Sequence, residues 1–289
     1  MHISYPKMPS EMHRTQRGTP YFTEPGVMII AATVTNLDNM DVFLKDFDEK
    51  LGFSQYLKDP VSLDSGTTVV KVAGQMCYHS FGKRRRPNSQ ADEYIHNILE
   101  SGHGSVLEHA SVTFSFYGIS RATTHELVRH RHFSYSQTSQ RYVGPDSVRY
   151  VERRTFQMDN ELHRQFETAI DQNVQKYRKW VDLLYAKQTS GMPSLQGDKR
   201  TEMRIRVQQD ARDVLINAVE APIVVSGNVR SWRHFLDMRA SKEADTPIRL
   251  LAMKVYRCLD KLYPGLFWDY RVVSLQDGTE ALQTAFRNV

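Results

Sequence analysis

The stretch THELVRHRHFSYSQTSQRYV, residues 124–143, joins the end of a predicted helix to a dense cluster of hydrogen-bond donors. Ser120 is a suitable cap for that helix, because a serine side chain accepts a hydrogen bond from the free N–H groups of a first turn. The residues just before it alternate as a β-strand, with Val112, Phe114 and Phe116 on one face. The stretch therefore predicts a fold in which a strand leads into a helix that ends among cations.

The charges at this helix end predict an anionic ligand. Four consecutive residues, Arg129–His132, can carry positive charge, whereas the dipole of a helix C-terminus favours one or two. Their mutual repulsion indicates a multiply charged partner such as a phosphate or pyrophosphate. No lysine lies between Lys83 and Lys176, so the positive charge of this region comes from arginine, whose planar guanidinium matches phosphate better than an ammonium does.

A second cationic cluster follows about a hundred residues later, in GNVRSWRHFLDMRAS (227–241). Helical spacing puts Arg230 and His234 on one face and Arg239 on an apolar stripe with Trp232. An arginine on the apolar side of a helix predicts a ligand contact or a buried ion pair, although a snorkelling side chain is the alternative.

The remaining patterns predict one domain of mixed α/β (α+β) class. It would span residues 27–289, with a central mixed or antiparallel sheet flanked by long helices. Residues 1–26 are polar and rich in proline, and we expect them to form a poorly ordered extension. Further strands are predicted at 27–35, 67–74 and 221–227, and further helices at about 38–53, 92–101, 159–188, 198–216 and 231–241, with a last one through Leu251 and Leu262.

Composition is that of an ordinary globular protein. The 289 residues are 40% hydrophobic and 25% charged, with a net charge of +5. Two cysteines are too few for a disulfide framework or a four-cysteine zinc site. No run of eighteen apolar residues and no signal-length apolar segment occurs, so we expect a cytoplasmic protein without a membrane partner.

Three other kinds of site are alternatives to an anion-binding site: a zinc site, a serine-hydrolase site and a nucleic-acid-binding surface. The histidines of HELVRH, His125 and His130, are five apart, whereas a zinc-protease helix needs them four apart, so we expect no metal. Ser105 lacks the second glycine of a serine-hydrolase elbow. A nucleic-acid-binding module using Lys83–Arg86 remains an alternative, as does a metal-dependent hydrolase, but no nucleic-acid-binding motif accompanies the charge, and we expect no nucleic-acid partner.

Taken together, three motifs resemble the flavin-dependent thymidylate synthase family. The signature is RHR, seven residues and a serine, here Arg129–Arg131 and then Ser139, with Arg141 and Tyr142 following. GHGSVLEHASVTF (102–114) and NVRSWRHFLDMRAS (228–241) resemble family segments in the same order, and the similarity covers roughly residues 27–280.

The resemblance implies a methyltransferase of nucleotide biosynthesis. Such an enzyme is a homotetramer with shared active sites that converts dUMP to dTMP. Methylenetetrahydrofolate supplies the carbon and leaves as tetrahydrofolate, and FAD reduced by NADPH supplies the hydride. The family uses no cysteine nucleophile, so the resemblance gives Cys77 no catalytic role.

The resemblance also assigns site residues by position. Arg239 is the implied catalytic residue, whose guanidinium would favour ionisation of the uracil ring. The implied FAD contacts are Ser105, Arg129, His130, Arg131, Gln137, Asn228, Arg230 and His234. The implied dUMP contacts are Glu126, Arg129, Gln137, Ser139, Gln140, Arg141, Arg212 and Arg239. Many members have Asn-Glu where this chain has Ser136-Gln137, which removes one negative charge.

Overall fold

The computed structural model describes residues 4–287 and is built around a sheet of five antiparallel strands. In chain order the strands are β1 (Lys7–Met8), β2 (Met12–Arg14), β3 (Pro20–Phe22), β4 (Gly26–Ala32), β5 (Ser111–Tyr117), β6 (Ser134–Gln137), β7 (Tyr150–Val151), β8 (Ile223–Asn228), β9 (Arg271–Ser274) and β10 (Glu280–Gln283). The main sheet has the order β1-β4-β5-β8-β6, while β2-β3-β7 and β9-β10 form two small sheets.

Helices cover this sheet and extend beyond it. They are α1 (Met40–Leu44), α2 (Ser65–Cys77), α3 (Ala91–Glu100), α4 (Arg121–Leu127), α5 (Arg154–Gln157), α6 (Asn160–Thr189), α7 (Gly197–Ala211), α8 (Val229–Arg239) and α9 (Thr246–Leu262). The predicted single domain with an antiparallel central sheet and long flanking helices is confirmed. Within residues 4–287 no helix is long and apolar enough to cross a lipid bilayer.

Strand β5 is the centre of the core, as its alternating pattern predicts. Val112, Phe114 and Phe116 are at most 1% exposed, and β5 pairs with β4 on one side and β8 on the other. The ring of Trp232 on α8 packs edge-on at 4.8 Å from that of Phe114. Because each fully buried side chain of this size contributes roughly 1.5–3 kcal/mol, this contact anchors α8 firmly on the sheet.

Residues 4–26 do not form the poorly ordered extension that was expected. Strand β1 joins the main sheet beside β4, and β2 and β3 form a hairpin whose second strand pairs with β7. Between β2 and β3, the buried hydroxyls of Thr15 and Thr19 both donate to Asp171 on α6. Asp171 lies 156 and 152 residues from Thr15 and Thr19 in sequence, and strands of two or three residues are too short to show a period.

Residues 67–74 form part of helix α2 instead of the predicted strand. Asp64 caps the helix by accepting from the Thr67 N–H at 2.7 Å, and the buried positions include Thr67, Val70, Lys71 and Gly74. That spacing of three and four is helical, and burial outweighs the β-propensity of the threonines and valines.

Three smaller differences concern the bounds of two predicted helices and the presence of short strands. Of the helix predicted at about 38–53, only α1 is α-helical, and short 3-10 turns follow it. Helix α4 ends at Leu127, so the arginine run lies in a turn. Strands β6, β9 and β10 were not predicted, because each has only four residues.

Candidate active site

A turn between α4 and β6 carries the predicted anion-binding residues. Ser120 caps α4 as predicted, accepting from the Thr123 N–H at 3.2 Å. The side chains of Arg129 and Arg131 are exposed on the turn, and neither forms an ion pair with any described residue. Two unpaired guanidiniums on one turn retain all their donors for an anion.

Helix α8 brings Arg239 against this turn. The Arg239 guanidinium donates from Nη1 to Glu126 Oε2 at 3.0 Å and from Nη2 to the Glu126 carbonyl at 3.4 Å. Its Nε donates to His130 Nε2 at 3.0 Å. The side chains of Arg239 and Glu126 are only 21% and 33% exposed. Arg239 therefore forms one hydrogen-bonded group with two residues that lie more than a hundred positions earlier in the sequence, Glu126 and His130.

His130 is a neutral hydrogen-bond acceptor in this group. Burial, together with the nearby charges of Arg239 and His234, lowers the pKa of His130 to about 4. At neutral pH its Nε2 is thus unprotonated and accepts from Arg239, which places the ring proton on Nδ1.

A cavity of about 340 Å³ opens between the turn and α8. It is lined by Arg129, His130, Arg131, His132, Phe133, Ser231, His234, Met238 and Arg239. Among these lining residues, Phe133 packs with its ring directly against Gly227 of β8. A Cβ at residue 227 would meet that ring at 2.2 Å.

Three further predicted FAD contacts are tied to this region through α8. Asn228 caps α8 by accepting from the Ser231 N–H at 2.8 Å, and the Ser231 hydroxyl donates to the His132 carbonyl at 3.4 Å. Arg230, on the same first turn, forms an ion pair at 2.7 Å with Glu108. Glu108 belongs to the 3-10 segment Gly104–His109, which carries the exposed Ser105.

The other predicted dUMP residues form a separate group after β6. Gln140 is 9% exposed and accepts from Arg121 at 3.0 Å, while its Nε2 has no partner among the described residues. Arg141 is exposed beside the ring of Tyr142, and Arg212 ends α7, which packs along this segment. A buried amide with unused donors is available to bind a ligand or a water molecule.

The structure does not join the two groups within one chain. Among residues 4–287 no hydrogen bond or ion pair links the Arg239 group to Ser139, Gln140 or Arg141. Gln137 pairs with Ile223 at the start of β8, whereas the α8 cap, Asn228, lies at its end.

Sequence reasoning missed three residues around these groups. Arg121 holds Gln140, and Tyr135 holds the arginine turn. Arg233 lies in the core with a bidentate ion pair to Asp269 at 2.7 and 2.8 Å. Its position among the buried residues of α8 follows the helical period, which offered a signal for a buried pair.

The alternatives gain no support from geometry. Within the described part of the chain no three His, Cys, Asp or Glu side chains are grouped to hold a metal ion. In the basic segment Lys83–Arg86, the Arg85 guanidinium lies 3.3 Å from Asp59 and donates to the Tyr56 carbonyl. Arg85 therefore ties its loop to the segment that carries Tyr56 and Asp59.

The fold is that of a solved pyrimidine nucleotide methylase. A crystal structure of a UMP/dUMP methylase, PolB, from Streptomyces cacaoi bound with 5-Br dUMP matches 85% of this chain and 94% of its own, with a TM-score of 0.58 and 17% identity. At that identity the match concerns the fold alone.

Sequence comparison identifies the family. The model described as "Thymidylate synthase complementing protein" matches residues 61–265. A flavin-dependent thymidylate synthase from Mycobacterium sp. (strain JLS) is 44% identical over 76% of this chain and 86% of its own. One from Mycobacterium leprae (strain Br4923) is 43% identical over 75% of this chain and 85% of its own. The chain belongs to the flavin-dependent thymidylate synthase family, and the predicted enzyme class is confirmed.

Proposed function

We propose that the protein converts dUMP to dTMP, with methylenetetrahydrofolate as carbon donor and tetrahydrofolate as product. The observation that supports this most directly is the Arg239 guanidinium, held by Glu126 and His130 at the edge of a cavity whose turn carries two unpaired arginines.

Arg239 is the proposed catalytic residue. A guanidinium has five N–H donors, and the contacts to Glu126 and His130 use three, so two remain for a uracil ring. A fixed cation in a water-poor site stabilises negative charge as it develops on the ring, and a ring that carries this charge is nucleophilic at carbon. The chain therefore needs no protein nucleophile.

The residues around the cavity fit an FAD. Arg129 and Arg131 suit its pyrophosphate, and His130 and His234 line the same cavity. The proposed set is completed by four residues outside that lining: Ser105, Gln137, Asn228 and Arg230. When bound and reduced by NADPH, the flavin would supply the hydride. The protein's part is to hold the flavin and nucleotide in place and to limit access of water.

The proposed dUMP site draws on both groups of residues. Glu126, Arg129 and Arg239 come from the α4–α8 side, and Gln137, Ser139, Gln140, Arg141 and Arg212 come from the segment after β6 and the end of α7. Because no hydrogen bond or ion pair joins these groups within one chain, we propose a homotetramer in which neighbouring subunits complete each site. We also propose that the enzyme works in the cytoplasm.

The test is a spectrum and a product assay on the purified protein. We expect bound flavin absorbance that shifts on adding dUMP, NADPH oxidation, and dTMP formation only when methylenetetrahydrofolate is present. The matched control is dCMP, whose ring lacks the imide proton and should give no methylated product. A protein that takes up no FAD, or that forms no dTMP with all substrates present, would contradict the proposal.

A further inference from the structure

Tyr135 fastens the arginine turn on both sides. Its side chain is half-buried on β6, with its ring 6.1 Å from that of Phe133. Its hydroxyl lies 2.8 Å from the Leu127 carbonyl and 2.7 Å from the His130 carbonyl, and donates its proton to this pair. Leu127 is the last residue of α4 and also accepts from the His130 N–H at 3.2 Å.

This contact fixes the main chain at the residue that holds Arg239. The His130 carbonyl accepts from Tyr135, and the His130 ring accepts from the Arg239 Nε at 3.0 Å. The ring is itself packed edge-on at 5.2 Å from Phe235, one turn before Arg239 on α8. The direction of the guanidinium thus depends on where the turn places the imidazole.

The Tyr135 phenol and the His130 imidazole, which form these hydrogen bonds, keep their protonation states at neutral pH. Burial raises the pKa of Tyr135 to about 12, so the phenol remains a donor. Burial lowers the pKa of His130 to about 4, so the imidazole remains an acceptor.

We propose that Tyr135 is a positioning residue for Arg239, which it reaches through His130. The proposal rests on the proposed function, in which Arg239 acts on the uracil ring. Tyr135 lies behind the turn, and its hydroxyl is engaged with the main chain, so its effect is on the aim of the guanidinium.

The test is a set of variants assayed for dTMP formation per bound flavin. We expect Tyr135→Phe to lower kcat about tenfold while the KM for dUMP and the flavin content stay within about twofold, because a transition-state contact is lost without loss of ground-state binding. The matched control is Tyr117→Phe, which also loses a half-buried hydroxyl, bonded to the Ser10 main chain, and should keep wild-type kcat.

A double-mutant cycle tests the route through His130. His130→Phe removes the acceptor for Arg239, whereas His130→Gln retains an amide oxygen near the position of Nε2 and should recover much of the lost kcat. Adding Tyr135→Phe to His130→Phe should change kcat less than twofold, because the intermediate link is already absent.

Three results would overturn the proposal. They are an unchanged kcat in Tyr135→Phe, a loss of flavin or early thermal unfolding in that variant, which would assign the tyrosine to general stability, and additive effects in the cycle. A wild-type protein that forms no dTMP would overturn the proposed function, and this inference with it.

Discussion

The guanidinium of Arg239 gains its orientation from two neighbours of opposite character. Glu126 supplies a carboxylate and a carbonyl, and His130 supplies a neutral ring nitrogen, so the cation is fixed but only partly neutralised. A cation that keeps free donors in a largely buried position remains able to stabilise negative charge on a ligand.

Replacing Arg239 should separate chemistry from cofactor binding. We expect Arg239→Ala to bind flavin and to lose about 100-fold or more in dTMP formation, because it removes the cation that we propose acts on the uracil ring. The measurement is turnover per bound flavin. Arg257→Ala, which breaks an ion pair between Arg257 on α9 and Glu280 on β10, is the control and should turn over like wild type. Full dTMP formation by Arg239→Ala would contradict its assigned role.

His130 should make stability depend on pH. Its folded pKa of about 4 lies below the ordinary histidine pKa of 6.5, and the charged groups that face it are Arg239 and His234 on α8, with Glu126 beside Arg239. Between these values the unfolded chain binds a proton that the folded chain excludes, so stability rises with pH and falls as pH drops from 6.5 toward 4.

The magnitude of this effect can be measured by substitution. Relative to His130→Gln, the wild type should lose about 2 kcal/mol of unfolding free energy between pH 7.5 and pH 5. Urea unfolding of both proteins at the two pH values gives the difference. An equal loss in the two proteins would show that His130 does not titrate as described.

At the level of elements, periodicity determined what the sequence could predict. Strand β5 alternates cleanly and helix α8 repeats every three to four residues, so both were predicted close to their observed bounds. Residues 67–74 of helix α2 were wrongly predicted as a strand because their β-branched side chains favour a strand. The buried stripe of this helix is created only by packing against neighbouring elements. The turn at Arg129–His132 could be identified by its charges, but its contact with Arg239 depends on tertiary packing.

Removing one partner of the buried ion pair between Arg233 on α8 and Asp269 should lower the free energy of unfolding strongly. Arg233 and Asp269 are each 1% exposed at the side chain, and Arg233 also lies 4.9 Å from the centre of the Tyr270 ring. Asp269→Ala should lower the unfolding free energy by about 3–5 kcal/mol, because it leaves an unpaired buried cation. Removing both charges in Arg233→Met with Asp269→Leu should cost less, as urea unfolding would show. A double variant less stable than the single one would contradict this account.

For the molecule as a whole, the separation of the two groups of proposed site residues bears on how many chains build one site. No hydrogen bond or ion pair among the described residues links the Arg239 group to the segment after β6, and exposed arginines lie beside both: Arg129 and Arg131 on the turn, and Arg141 on the segment. Closed oligomers place copies of such surfaces against one another by symmetry.

Mixing two inactive variants tests this arrangement. If Arg239 and Arg141 reach one site from different subunits, random mixed tetramers of Arg239→Ala and Arg141→Ala chains regain sites with both residues intact, up to about a quarter of the total. Activity after co-refolding or co-expression, with mixed assembly verified by two affinity tags, gives the answer. Mixed tetramers without recovered activity would indicate a site built within one chain.

Gly227 fixes the depth of the cavity beside Arg239. Since the Phe133 ring lies directly against Gly227, no side chain separates that ring from β8, and the ring itself lines the cavity on this side. Even the methyl group of an alanine at residue 227 would meet the ring at 2.2 Å, so the ring or the strand would have to move. We expect Gly227→Ala to change the shape of the cavity through Phe133, whereas substitutions of His234 and Met238 would change its α8 side directly.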